Sequence, residues 1–278
     1  MIAAEFIAFL GSIGLAPVRS AIHFPDDKIV RYRSERDGPG KLNAAAVLHT
    51  STRVPFGIAW HWHDPQRRYH WQATSNEAMT PAERAELQRQ LHALNKAREE
   101  DAARVRAEAA ARALKLWRTA KPASNDHPYL VRKGVPAYGL RLLRNQLLVP
   151  ARDAEGRLHT LQFIGPDGGK RFLTGGRIAG CYYAIGRPDD ALLLAEGYAT
   201  AATLHQATGR AVAVCFNCGN LAAVARALRG KFPRLRLVVC ADNDAATAGN
   251  PGLTAAREAA RAVGGLVAVP HFGEVAHG

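Results

Sequence analysis

Two short segments carry residues able to do chemistry. Leu192-Leu193-Leu194-Ala195 runs into Glu196-Gly197, and Val238-Val239-Cys240-Ala241 runs into Asp242-Asn243-Asp244. Each is an apolar run of strand length that ends in acid. An apolar run bounded by a polar turn suits a strand buried on both faces of a parallel sheet. A helix-like segment follows each run, so the carboxylates fall at the carboxyl ends of parallel strands, the rim where open α/β sheets bind ligands. Strand side chains repeat every second residue, so Asp242 and Asp244 point the same way. Three acids gathered on one rim repel one another, and a hard divalent cation, Mg²⁺ or Mn²⁺, relieves that repulsion. The catalytic and metal-ligating candidates are therefore Glu196, Asp242 and Asp244.

The elements between the acids fit this scheme. Ala211-Val212-Ala213-Val214-Cys215-Phe216 reads as a middle strand, Asn217-Cys218-Gly219-Asn220 as the turn after it, and Leu221 to Leu228 as the start of a helix. The order of strand, Glu-Gly, helix, strand, Gly turn, helix, strand and Asp-x-Asp resembles a TOPRIM domain. That metal-binding α/β module is shared by bacterial-type primases, type IA and II topoisomerases and some nucleases. The family's further acid close behind Asp-x-Asp is absent, since Ala245-Ala246-Thr247-Ala248 stands there, ahead of Gly249, Asn250 and Gly252.

Composition bounds the setting. The chain of 278 residues carries a formal charge of +13, with a pI near 10.1, which marks a polyanion partner such as nucleic acid. A hydrophobic content of 47% excludes wholesale disorder. Four cysteines suit a reducing compartment, and a cytoplasmic location is expected. The Cys215-Phe216-Asn217-Cys218 spacing has no second cysteine pair, so structural thiols are expected there. No apolar run reaches membrane-spanning length, and the start of the chain has no basic n-region.

Four segments precede or contain the acids. Residues 1–75 read as an α+β module: a short helix within Ala3 to Leu15, then strands at Lys28–Arg33, Asn43–His49 and Gly57–His63. On the last run Ile58, Trp60 and Trp62 share one face, and Ala59, His61 and His63 the other. No cysteine occurs before Cys181, and two histidines on one strand do not complete four ligands, so no zinc is expected. Trp60, Trp62, Arg67, Arg68 and Tyr69 interleave aromatic with basic side chains. They serve either as a stacking platform for single-stranded nucleic acid or as the core of this small module. Residues 80–120 read as a helical connector, opened by Thr80-Pro81-Ala82-Glu83 and solvated between Lys96 and Arg112. Residues 124–186 read as a basic β-rich subdomain, and 190–270 as the α/β fold with a central, mostly parallel sheet.

The TOPRIM resemblance sharpens in these segments. Val131-Arg132-Lys133-Gly134-Val135 resembles a run found in phage-type primases just before their catalytic core. Lys170-Arg171-Phe172-Leu173 resembles their Lys-aromatic-Leu element, and Gly180-Cys181-Tyr182-Tyr183-Ala184-Ile185-Gly186 the aromatic strand after it. Topoisomerases and TOPRIM nucleases lack this prelude. Residues 1–75 more loosely resemble the zinc-free N-terminal module of phage and mobile-element primases. The resemblance implies a DNA primase that makes RNA primers from NTPs on a single-stranded DNA template. It implies NTP contacts from Lys170 and Arg171; Asn217, Gly219 and Asn220, in a turn at a helix N-terminus, are candidates to hold a phosphate or sugar edge. It also implies a replicative helicase partner in cis or in trans; no Gly-x-x-x-x-Gly-Lys-Ser/Thr run is present. A TOPRIM nuclease or a non-catalytic nucleic-acid adaptor are the competing classes.

Overall fold

The computed structural model describes residues 2–19, 22–52, 54–62, 64–73, 80–242 and 250–270. It divides into two compact units, Met1–Arg98 and Glu99–Gly278. Among the described residues no helix is long and apolar enough to cross a membrane.

The first unit is helix α1 (Ile2–Ser12) with strands β1 (Val30–Tyr32), β2 (Ala44–His49), β3 (Phe56–His61) and β4 (Asp64–Gln72), antiparallel in the order β1-β2-β3-β4. α1 buries Phe6 and Leu10 against Ala44, Ala46, Leu48 and Ala59, with Tyr69 and Trp71 packed at the side. Gly57 lies under Phe6, where a Cβ would collide with the ring, so only glycine allows the helix to approach this closely. The loop after β1 is tied by buried Asp37. Its carboxylate accepts hydrogen bonds from Ser34 N (2.9 Å), Ser34 Oγ (2.7 Å) and Asn43 Nδ2 (2.9 Å), and lies 3.1 Å from His61 Nε2. Burial raises the Asp37 pKa, but the bonds from Ser34, Asn43 and His61 outweigh it and hold it at about 2.

In the second unit, α2 (Pro81–Thr119), whose first turns belong to the first unit, leads into β5 (Lys121–Pro122), α3 (Pro128–Lys133), β6 (Arg141–Leu143), β7 (Gln146–Arg152), β8 (Leu158–Ile164) and β9 (Lys170–Phe172). These strands form an antiparallel sheet in sequence order. Then follow β10 (Tyr183–Ile185), β11 (Ala191–Ala195), α4 (Tyr198–Thr208), β12 (Ala211–Val214), a 3-10 turn at Cys218–Asn220, α5 (Leu221–Lys231), β13 (Arg236–Cys240), α6 (Pro251–Val263) and β14 (Leu266–Ala268). Their sheet order is β10-β12-β11-β13-β14, parallel throughout except for β10.

Alternation along β11 explains the layers. Leu193 and Ala195 face α4, α3 and the antiparallel sheet through Tyr129, Leu147, Val149, Ile164 and Tyr198. Leu192 and Leu194 face α5 and α6 through Val224, Leu228, Ala256 and Ala259. Fully buried on both faces, β11 reads as a continuous apolar run.

Two boundaries differ from the sequence reading. β10, expected in the β-rich subdomain, pairs antiparallel with β12 and is the edge of the second sheet. α2 is not a solvated connector over its whole length. Ala109 and Ala113 are fully buried, and Ala113 packs with Ala120 on Leu148, Leu161 and Phe163. A stripe of alanines at four-residue spacing buries well yet adds little to a hydropathy count.

Asp37→Ala leaves Ser34, Asn43 and His61 without their shared acceptor, and should destabilise the first unit by about 2 kcal/mol at pH 7. A depressed carboxyl pKa contributes stability above the unfolded value, which is lost as pH falls from about 4 through about 2. The melting difference between wild type and variant, followed by circular dichroism, should shrink across that interval; a pH-independent difference would refute it.

Candidate active site

Glu196 directly follows β11, and Asp242 comes two residues after the end of β13. The two strands are paired in parallel, Leu194 opposite Val239, so both half-buried acids stand on one rim. Gly197 takes an extended backbone as the N-cap of α4. Asp244, Asn243 and Gly249 lie outside the described residues, as does His63. Asn250 caps α6 with its side chain accepting from Leu253 N at 3.3 Å.

A cleft of about 370 Å³ opens on this rim. Glu196, Gly197, Ala199, Thr200, Phe216 and Asp242 form its floor. Tyr129, Arg132 and Lys133 from α3, and Asp167, Gly168 and Lys170 from the β8–β9 hairpin, form its other wall. A Cβ on Gly197 would stand 3.6 Å from the Lys170 ammonium, which places that cation over the Glu196-Gly197 turn. Arg132, Lys133 and Lys170 thus face Glu196 and Asp242 across the cleft, with Asp167 on their own wall, a setting suited to a polyanion held with a cation.

Local structure fixes the basic wall. α3 starts at Pro128 behind the cap His127, whose Nδ1 accepts from Tyr129 N at 3.3 Å, and stops at Gly134 in the left-handed region. Arg132 Nη1 donates to Pro166 O at 3.1 Å, pinning α3 to the hairpin. Gly168, at φ +92°, lies where a side chain would press on Arg132. Phe216 follows β12 with φ +73°, an uncommon conformation for a bulky residue, and its ring meets Phe172 edge to face at 5.6 Å.

The oxygens of Glu196 and Asp242 suit a hard divalent ion, whereas the thiols beneath them do not compete for one. Burial, then the Asp242 charge, raises the Cys240 pKa to about 11; burial, then the Glu196 charge, raises that of Cys215 further. All four cysteines are free, and Cys215 is fully buried, in keeping with structural thiols. Among the described residues no three His, Cys, Asp or Glu side chains gather as metal ligands.

Several site candidates are corrected. Arg171 alternates away from Lys170 on β9; it donates to Gln146 Oε1 at 2.7 Å and lies 4.9 Å over the Phe163 ring, outside the cleft lining. Asn220 is buried and holds the protein together. Its amide nitrogen donates to Cys181 O and Cys215 O, both at 2.9 Å, and its oxygen accepts from Gly180 N at 2.8 Å. Both of its amide N–H donors are thus spent inside the protein. Asn217 and Gly219 stay near the rim but do not line the cleft. Arg132, Lys133, Tyr129 and Thr200 line it and were not named as site residues; the Val131–Val135 run was the available signal for the first two.

The aromatic set of the first unit divides between two sheet faces. Arg68 lies 4.5 Å over Trp60, and Arg31 4.7 Å over exposed Trp62. Tyr69, with Arg67 at 5.1 Å, packs instead on the α1 core. Strand alternation separates Arg68 from Tyr69.

Residues 191–271, which carry β11 to β14 with Glu196 and Asp242, match the Toprim domain family. The chain is similar to an Escherichia coli protein described as DNA primase TraC, 36% identical over 281 residues, covering 96% of this chain and 26% of that one. A second E. coli protein of the same description is 41% identical over 163 residues, covering 54% of this chain and 11% of its own length. The chain thus spans about a quarter or less of the relatives it matches. Among solved structures, the primase fragment of the bacteriophage T7 primase-helicase aligns at TM-score 0.40 and 14% identity, over 52% of this chain and 64% of that one. A DNA primase domain from Pseudomonas aeruginosa aligns at TM-score 0.34 and 21% identity, over 49% and 47%.

Asn220→Ala strips partners from two carbonyls and one amide inside the protein, and should cost about 3 kcal/mol of stability in thermal unfolding. An unchanged melting temperature would return Asn220 to the ligand-binding residues.

Proposed function

We propose that this chain is the catalytic part of a DNA primase, joining NTPs into short RNA primers on single-stranded DNA. The observation that carries the reading is Lys170 of the basic subdomain over the Glu196-Gly197 turn, in one cleft with Glu196 and Asp242. Similarity to a protein described as DNA primase TraC over nearly the whole chain supports it.

In this reading Asp242 and Asp244 are the principal oxygen ligands for Mg²⁺ or Mn²⁺. Glu196 serves either as a further ligand or as the group that takes a proton from the primer hydroxyl. The divalent ion, when bound, supplies charge neutralisation at the triphosphate. Lys170, Arg132 and Lys133 bind the triphosphate by charge-assisted hydrogen bonds and turn its α-phosphate toward the primer end. The primer 3′-oxygen forms a bond to the α-phosphorus, the bond to the β-phosphate oxygen breaks, and pyrophosphate leaves. The basic first unit holds the template strand, and a replicative helicase, in cis or in trans, is the partner expected in the cytoplasm.

The direct test incubates the protein with single-stranded DNA, labelled NTPs and Mg²⁺ or Mn²⁺. Template-dependent oligoribonucleotides are expected; DNA cleavage without synthesis would mean a nuclease. Asp242→Asn should abolish synthesis while single-stranded DNA binding survives, because affinity for the polyanion is spread over many Lys and Arg.

Lys170→Ala should cost about 1.5–3 kcal/mol of phosphate binding, roughly ten- to a hundredfold in the NTP concentration needed. Arg171→Ala should stay near wild type, since its guanidinium is held by Gln146 and Phe163. The reverse ranking in steady-state kinetics would overturn the assignment of Lys170.

A further inference from the structure

A second cavity, of about 570 Å³, lies wholly within the first unit along β1, the edge strand of its sheet. Val18, Ile22 and Leu42 make its apolar lining, and Val18 and Leu42 remain 48% and 52% exposed. Arg19, Arg31 and Arg33 line it as well, and among the described residues no acid does.

Two of these arginines are fixed in place without being neutralised. Arg31 Nη2 donates to Leu42 O at 3.1 Å, and Arg33 Nε to Asp37 O at 3.2 Å; both acceptors are backbone carbonyls. The Asp37 carboxylate is meanwhile committed to Ser34, Asn43 and His61. A guanidinium held by a carbonyl keeps its full charge and its remaining donors. The Arg31 guanidinium also lies over Trp62, an indole 57% exposed at the end of β3. Val18 N donates to Arg33 O at 3.0 Å, so the segment that carries Val18 and Arg19 is bound to the strand edge.

We infer that this groove is a binding site for a single-stranded nucleic acid, its arginines taking backbone phosphates and its apolar lining, with Trp62, taking an unstacked base. Charge complementarity selects a polyanion, because three cations stand over a lining without acid. The apolar lining and the exposed indole select one whose flat faces are free, which a single strand offers and a stacked duplex does not. The inference deepens the template-binding part of the proposed function and rests on it. It moves the contact from Arg67 and Tyr69 to Val18, Arg19, Arg31, Arg33, Leu42 and Trp62.

The test uses the full chain, a fluorescein-labelled oligothymidylate and anisotropy over a series of salt concentrations, without NTP or divalent metal. Arg19→Ala with Arg31→Gln removes two cations. Leu42→Glu, at an exposed site, adds an acid to the groove. Each variant, once shown by circular dichroism to be folded, should bind roughly tenfold more weakly. The double variant should also flatten the slope of log affinity against log salt by about 1.4, at about 0.7 per phosphate contact on a single strand.

Wild-type affinity and slope in both folded variants would overturn the inference. So would a groove that binds poly-glutamate more tightly than the oligonucleotide, which would make it a site for an acidic protein segment. Primer synthesis scored at saturating template separates the two readings. Weakened binding in the groove variants alongside an Asp242→Asn protein that still makes primers would sink the catalytic reading and leave the groove standing.

Discussion

Like-charged carboxylates on neighbouring parallel strands repel, and much of the second unit is arranged around that repulsion. β11 and β13 deliver Glu196 and Asp242 to the same rim because their register leaves no alternative. Countercharge comes from another layer. The antiparallel sheet packs on the Leu193 face of β11 through a continuous apolar core, and this burial presents Lys170, with Arg132 and Lys133 beside it, across the cleft. Hydrophobic packing between two sheets thus sets the distance at which cation meets anion.

The protein spends polar interactions on holding that arrangement rigid. Asn220 ties the segment before β10 to the residue after β12 with one amide. Arg132 reaches Pro166 and so links α3 with the β8–β9 hairpin. Phe216 keeps a left-handed backbone beside the acids and seats its ring against Phe172. A strained residue survives only where its surroundings over-determine it, and here they are the cleft itself.

The acid-bearing strands were legible because burial on both faces leaves an unbroken apolar run, and because an acid directly after such a run has few structural uses. The thiol reading of Cys215 and Cys218 followed from the same logic. Other elements were hidden for physical reasons. A three-residue strand such as β9 can present Lys170 or Arg171 to the cleft, and sequence does not say which until the partner strand is in place. Asn220 read as a turn residue because two of its three amide partners come from 39 and 40 residues before it. The alanine stripe of α2 is too weakly apolar to register. The groove along β1 joins that strand to residues from the loops on either side, which share no periodicity with it.

The position of β10 has a consequence for dissecting this protein. The Toprim match begins at Ala191, after β10 has already supplied the edge that covers β12. A chain begun at that residue would leave one edge of β12 unpaired, with β11 still on the other. It would also strip the antiparallel sheet and α3 from the Leu193 side of the second sheet. An open strand edge next to a bare apolar face is a template for strand addition between copies. The smallest piece able to stay monomeric is therefore larger than the smallest piece recognisable by sequence, and its first residue lies upstream of α3.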